Sequence, residues 1–311
     1  MTKRTEGYVP FRGYRTWYRA VGEDEDGKLA VLVLHGGPGA AHDYLESLEG
    51  LTDVGRRVVF YDQLGCGRSD LADESLWTVE TYVDEVGVVR DELGLDRIHL
   101  FGNSWGGMLA MEYALTKPTG LASLMIASSP SSIPQWVEET ARLRRELPEE
   151  VQAVLDKHEA AGTTDDPEYE RACEVFYRRH VCRLPEWPDY VLRTFQFLTE
   201  HGEVYRYMNG PSEFHVVGML KQWDITHRLG EIDVPTLVVS GEFDEATPAI
   251  NRTVSSRIPG AESVIYPRGS HMAHAEDPEG YCRLLEGFMA RVESRAPTTA
   301  GRPAASIPES R

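Results

Sequence analysis

Leu100-Phe101-Gly102-Asn103-Ser104-Trp105-Gly106-Gly107 is the stretch whose reading decides the fold. An apolar run, Ile98–Phe101, leads into a G-x-S-x-G turn, and an apolar helix starts at once and reaches Lys117-Pro118. A strand that turns this sharply into a helix leaves no room for side chains beside the serine, which places glycine at 102 and 106. The strained turn would hold the Ser104 hydroxyl at its tip, with the helix N-terminus directing amide dipoles toward developing negative charge. The competing reading is a plain glycine-rich turn in an α/β protein.

Bulk properties narrow the function. The chain has 311 residues and a formal net charge of −18. That charge disfavours nucleic acid or an anionic membrane as partner, since both attract basic surfaces. Cys66, Cys173, Cys182 and Cys282 form no C-x-x-C pair and have no metal-ligand spacing, so no metal site is expected. Scattered cysteines in a long chain suit a reducing compartment. The N-terminus has no apolar signal-like core, and no stretch is long and apolar enough to span a bilayer. These features together predict a cytoplasmic protein without a membrane anchor.

The organisation is that of an open, mostly parallel sheet with helices on both faces. Buried strands are predicted at Ala30–Leu34, Arg57–Tyr61, Ile98–Phe101, Leu121–Ala127, Thr236–Ser240 and Ser263–Tyr266. Tyr14–Val21, ahead of a polar turn at Asp24–Lys28, reads as part of an initial antiparallel hairpin. The alternation of strand and helix stops after Pro130. Helices are predicted at Gln135–Leu147, Glu149–Ala161, Pro167–Val181 and Pro188–Leu198, with Asp166 capping the third ahead of Pro167. Residues 1–129 and 230–294 are thus expected to form the core and 130–229 a helical cap over the strand ends where ligands bind in such sheets. The Ala-, Pro-, Thr- and Ser-rich tail, 295–311, reads as disordered.

A serine hydroxyl needs a base, and the base an orienting acid. With a nucleophile on an elbow, the chain order is serine, acid, histidine. Asp244 falls in the loop after the strand at 236–240, and His271 in the loop after the strand at 263–266. Asp233 is the rival acid, but it precedes its strand; His274 is the rival base. The sixth strand ends at Ser128-Ser129-Pro130 without a carboxylate. For the oxyanion, one donor is the N–H of Trp105, the residue after the nucleophile. The other is expected from the His35-Gly36-Gly37-Pro38-Gly39 loop, at Gly37. His35 reads as structural, holding that loop through its ring nitrogens. Asp62 and Arg68 read as structural residues of a loop beneath the site, and Ser69 as non-catalytic.

With those motifs in place, the chain resembles the proline iminopeptidases and their tricorn-associated aminopeptidase relatives, α/β-hydrolases, up to about Val292. The resemblance rests on HGGPG at His35–Gly39, DQLGCGRSD at Asp62–Asp70, GNSWGG at Gly102–Gly107 and GEFDEATP at Gly241–Pro248. The GSH at 269–271, followed by Glu276-Asp277-Pro278, also fits. It implies a metal-free, cofactor-free exopeptidase that releases an N-terminal residue, proline or hydrophobic, from short peptides. It further implies that two glutamates anchor the substrate's free ammonium group, here Glu245 beside the triad acid and Glu213 near the end of the cap. Independently, an amine stripped of water needs compensating acceptors, and charge-assisted hydrogen bonds are worth roughly 1.5–3 kcal/mol each. Trp136, Phe176, Tyr177, Phe195, Tyr205 and Tyr207 are candidates for the pocket around the first side chain, though cap core is the alternative for most. The same parts would serve an amino-acid amide hydrolase or esterase. A non-enzymatic binder built on this scaffold is the third reading; such proteins often lack a triad member, and none is missing here. An epoxide hydrolase or dehalogenase would need a carboxylate in place of Ser104.

Overall fold

The computed structural model describes residues 2–25 and 27–295; most of the tail expected to be disordered lies outside them. Eight strands form one sheet: β1 (Arg4–Phe11), β2 (Tyr14–Val21), β3 (Ala30–Leu34), β4 (Val58–Tyr61), β5 (Ile98–Asn103), β6 (Leu121–Ala127), β7 (Thr236–Gly241) and β8 (Glu262–Tyr266). Their order is β1-β2-β4-β3-β5-β6-β7-β8. Pairing is parallel from β4 through β8 and antiparallel at β1–β2 and β2–β4. This is the α/β-hydrolase architecture expected from the sequence.

Two strands differ from that expectation. Tyr14–Val21 does form a hairpin, but with the preceding Arg4–Phe11, a strand not predicted. Most of β1 is exposed, and only Val9 and Phe11 are buried, so it carries little hydrophobic signal. The strand ending at Tyr266 is not buried either. It is the outer strand of the sheet, and Ser263 and Ile265 face out.

Ten helices are described: α1 (Val79–Glu92), α2 (Trp105–Leu115), α3 (Ile133–Arg144), α4 (Glu149–Ala161), α5 (Pro167–His180), α6 (Asp189–Glu200), α7 (Glu203–Met208), α8 (Pro248–Ser255), α9 (Ala273–Glu276) and α10 (Pro278–Arg295). Because adjacent strand residues point to opposite faces, Leu32 and Leu34 of β3 join one core with α1, α2 and α8. Val31 and Val33 join the other, with α10 and a run of 3-10 helix over His42–Val54. Helices α3 to α7 are all inserted between β6 and β7. Part of that insertion has a small core of its own, centred on Leu155, Tyr169 and Phe176. Asp166 caps α5 by accepting from the Glu168 N–H, with Pro167 in the first turn, as its sequence position predicts.

Candidate active site

The turn after β5 is tight for a visible reason. Ser104 has φ 57° and ψ −125°, a conformation that L-residues rarely adopt. A Cβ on Gly102 would lie 2.1 Å from the Gly106 carbonyl oxygen, and one on Gly106 would lie 2.1 Å from the Leu34 oxygen. The strain is held by neighbours: Ser104 N–H donates to the Ala127 carbonyl at 2.9 Å, and Ser129 Oγ donates to the Ser104 carbonyl at 2.7 Å.

Asp244 and His271 come from the loops after β7 and β8, and they meet. His271 Nδ1 lies 2.9 Å from Asp244 Oδ1, and both side chains are buried. Asp244 is itself fixed by backbone donors, Ala246 N–H to Oδ1 at 2.8 Å and Gly241 N–H to Oδ2 at 3.1 Å. Burial opposes charge on His271, but the Asp244 carboxylate, its hydrogen bond and then Glu213 outweigh it and raise the imidazole pKa. Ser104 and His271 line the same cavity. Among the described residues no hydrogen bond joins them, so they are neighbours on one wall rather than a closed pair.

The other candidates have partners of their own. His274 is buried, its Nδ1 3.0 Å from Ser47 Oγ, and burial pushes its pKa down to about 3. Asp233 is exposed and paired with Lys117. Ser69 is held by the Asp62 carbonyl. Asp62 serves the loop, accepting from the N–H groups of His42 and Arg68.

Gly37 has φ +111°, and a Cβ there would lie 2.6 Å from the backbone nitrogens of Gly39 and Ala40. Among the described residues, neither the Gly37 N–H nor the Trp105 N–H has a protein acceptor. His35 holds the loop as expected. Its Nε2 accepts from the Gln63 N–H at 2.9 Å, which leaves the proton on Nδ1 to meet the Gly36 carbonyl at 3.0 Å.

Glu213 and Glu245 line the same cavity as Ser104 although 32 positions separate them in sequence. Glu213 is partly buried and accepts from Tyr205 Oη at 2.7 Å. Glu245 is fully buried, and neither carboxylate oxygen has a partner among the described residues. Its Oε1 is 3.6 Å from His271 Nδ1. Burial raises the pKa of Glu213. Burial, then the charges of Glu213 and Asp244, push that of Glu245 well above the carboxylate range.

The cavity measures about 470 Å³. Of the six candidate aromatics, Tyr177, Phe195 and Tyr205 line it; Trp187, Tyr44 and Tyr169, not singled out from sequence, do so too. Phe176 is core, its ring tilted against that of Phe214 at 4.8 Å. Trp136 packs edge-on to His271 at 6.0 Å and donates to the Glu213 carbonyl at 2.6 Å, so it braces the site from behind. Tyr207 is exposed and packs on Trp77. The insertion is stitched to the base: His271 N–H donates to the His180 carbonyl at 3.0 Å and Met272 N–H to that of Val181 at 2.9 Å. Among the described residues two groups elsewhere have metal-like geometry, His42/Asp43/Glu46 and His158/Asp166/Glu168. Arg193 already pairs with Asp43 and Glu46, and Lys157 with Glu168.

Residues 30–278 match the α/β-hydrolase fold family. The chain is 39% identical to the proline iminopeptidase of Thermoplasma volcanium over 290 residues, covering 93% of this chain and 98% of that protein. It is also 39% identical to that of Saccharolobus solfataricus over 294 residues, covering 93% of each. Among solved structures, VinJ superposes with a TM-score of 0.90 at 43% identity, covering 93% of this chain and 99% of that one. The proline iminopeptidase of Mycobacterium smegmatis gives 0.86 at 41% identity, with the same coverage. No helix among the described residues is long and apolar enough to cross a membrane.

Proposed function

The chain belongs to the α/β-hydrolase fold family and to its proline iminopeptidase branch, and from that membership we propose a role for each residue of the site. The protein is a serine aminopeptidase that releases an N-terminal residue, proline or hydrophobic, through an acyl-enzyme. Ser104 is the nucleophile, His271 the base and Asp244 the acid that orients it. The substrate's ammonium group sits between Glu213 and Glu245, which places the first carbonyl at Ser104. His271 Nε2 takes the hydroxyl proton as Ser104 Oγ attacks. The resulting oxyanion is held by the N–H groups of Gly37 and Trp105, each worth roughly 3–4 kcal/mol in such sites. His271 then passes the proton to the departing amine, and the same ring activates water for deacylation. The Ser104–His271 hydrogen bond forms when substrate is seated, since such contacts are often long in the empty enzyme. Residues 130–229 act as a cap that carries Glu213 to the core.

One observation carries this reading most directly. A fully buried carboxylate with no hydrogen-bond partner among the described residues, Glu245, lines the same cavity as a strained serine. Such a group is expensive to keep unless a cation completes it. The substrates are short peptides with a free N-terminus, and the site of action is the cytoplasm, in keeping with four unpaired cysteines. The roomy, partly apolar cavity also suits amino-acid amides or esters as the physiological substrate. The test is release of the N-terminal residue from proline, alanine and phenylalanine anilides, amides and p-nitrophenyl esters, with and without an acyl group on the amine. Free amines should be cleaved and blocked ones spared. Ser104→Ala should abolish turnover at unchanged Tm. Equal cleavage of blocked and free substrates would refute the ammonium site.

A further inference from the structure

Two side chains outside the triad each span the gap between the oxyanion loop and the elbow. Gln63, in the loop after β4, uses every polar atom it has. Its backbone N–H donates to His35 Nε2 at 2.9 Å, its Nε2 donates to the His35 carbonyl at 2.8 Å, and its Oε1 accepts from Trp105 Nε1 at 2.8 Å. It therefore ties the residue that opens the oxyanion loop to the residue whose N–H is one oxyanion donor. Tyr44 does the same from the opposite face of the sheet. Its hydroxyl accepts from the Gly36 N–H at 2.8 Å and donates to Asn103 Oδ1 at 2.7 Å. Gly36 precedes the second oxyanion donor, and Asn103 precedes the nucleophile. Tyr44, Gln63, Asn103 and Trp105 are all buried, so these bonds face little competition from water.

The two donors come from segments nearly 70 positions apart, and nothing in the covalent chain fixes their separation. An oxyanion hole works only when both N–H groups sit about 2.7–3.1 Å from one developing oxygen. We infer that Gln63 and Tyr44 are positioning residues that set the spacing of the Gly37 and Trp105 N–H groups, acting on the transition state rather than on substrate binding. The inference rests on the reading of those two amides as the oxyanion donors. Asn103, whose elbow position the sequence leaves unexplained, has its role here as the far anchor of the Tyr44 bridge.

The experiment compares Tyr44→Phe and Gln63→Met, near-isosteric changes that remove the bridging atoms. Tyr82→Phe is the control. That buried hydroxyl donates to the Leu64 carbonyl and to neither oxyanion segment, and phenylalanine keeps the ring that packs edge-on to Trp105. Removing one oxyanion donor outright costs about 10²–10³ in kcat, so losing its support should lower kcat by about 10- to 100-fold with KM little changed. Affinity for boroproline, which forms a tetrahedral adduct with serine, should fall in parallel. Affinity for L-prolinol, which offers the amine without a carbonyl, should stay level, and the control should match the parent in all three. Turnover of p-nitrophenyl acetate needs the oxyanion hole but no ammonium site, so its loss supports the inference even if the aminopeptidase reading fails. Thermal melts establish that each variant folds, and the struts are separate, so one folded variant suffices. A rise in KM at constant kcat would overturn the inference. So would a fall in kcat with boroproline affinity intact, or an equal loss in the control.

Discussion

Replacing Glu245 by glutamine should make the empty protein more stable and the enzyme worse. The carboxylate is fully buried, has no hydrogen-bond partner among the described residues, and lies in the field of Glu213 and Asp244. Glutamine keeps the shape and removes the like-charge repulsion. A buried unsatisfied polar group costs about 1–3 kcal/mol, more when charged; glutamine keeps the polar cost but cannot ionise, so relief of about 1 kcal/mol is expected where the carboxylate would charge. In a chain of this size that raises Tm by about 1.5 °C. The gain should grow with pH. Glu245 has a folded-state pKa well above its unfolded one, so its contribution to stability is complete below the unfolded value and is lost as pH rises through the folded one.

Catalysis moves the opposite way. A charge-assisted hydrogen bond to the substrate amine is worth about 1.5–3 kcal/mol, so kcat/KM on free-amine anilides should fall by about 10- to 150-fold. A simple ester without an amine gains nothing from the carboxylate and should lose less than about threefold. Differential scanning fluorimetry at pH 6 and pH 8 reads the first effect, and steady-state kinetics on paired substrates reads the second. A variant that is less stable at both pH values would refute the claim that the carboxylate is held against its own desolvation. Equal losses on amine and ester would refute its role as an ammonium acceptor.

Two further outcomes follow from buried acids. Glu213 is among the charges that hold the His271 pKa up; Glu213→Gln should therefore move the acid limb of the ester kcat/KM profile to lower pH, and an unmoved limb would exclude that coupling. Glu85, buried beneath the Asp62–Asp70 loop, accepts from Thr16 Oγ1 and the Leu64 N–H, and burial raises its pKa to about 8 from the usual 4.5. The folded state thus holds a proton that the unfolded chain releases. Stability should decline as pH rises from about 4.5 to about 8, at up to about 1.4 kcal/mol per unit; Glu85→Gln should flatten that decline in melts between pH 5 and 8.5, and an unchanged slope would refute it.

The parts of the site legible in sequence are those where the chain has few options. Gly102 and Gly106 betray the elbow because backbone oxygens at 2.1 Å leave no alternative. Asp244 and His271 follow from the strand-end rule, which needs only the strands at 236 and 262 to be found. Glu213 has no such local signature: it follows α7, a six-residue helix, and its place in the cavity depends on how the whole insertion packs. It entered only through family resemblance. Tyr44 is harder still, since it lies in a 3-10 run whose apolar positions read as ordinary core. Gln63 carried a usable hint, being at a strand's C-terminal end like Asp244. The aromatics show the same limit, because Tyr177 lines the cavity while its neighbour Phe176 faces core, and one residue of helix rotation separates the two fates.

The charges of the cleft make one system rather than a triad with an adjacent binding site. Glu245 Oε1 lies 3.6 Å from the same imidazole nitrogen that Asp244 holds at 2.9 Å, and Glu213 adds to the field on that ring. In the empty site Asp244, Glu213 and then Glu276 favour the imidazolium, the form that cannot accept a proton from Ser104. On the proposed role of the glutamates, an arriving ammonium group would offset the Glu213 contribution, and the pull on His271 would weaken to that of Asp244 and Glu276. On that proposal the base would be released by the group that identifies the substrate, and an N-blocked peptide would meet an imidazole still biased toward its protonated form. Selection for a free amino terminus would then operate at the chemical step as well as in binding. Glu213, Asp244 and Glu245 can crowd this cleft because they come from two segments, with α3 bracing between them: Trp136 packs on His271 and bonds the Glu213 carbonyl, while the Asp244 loop is pinned by its own backbone.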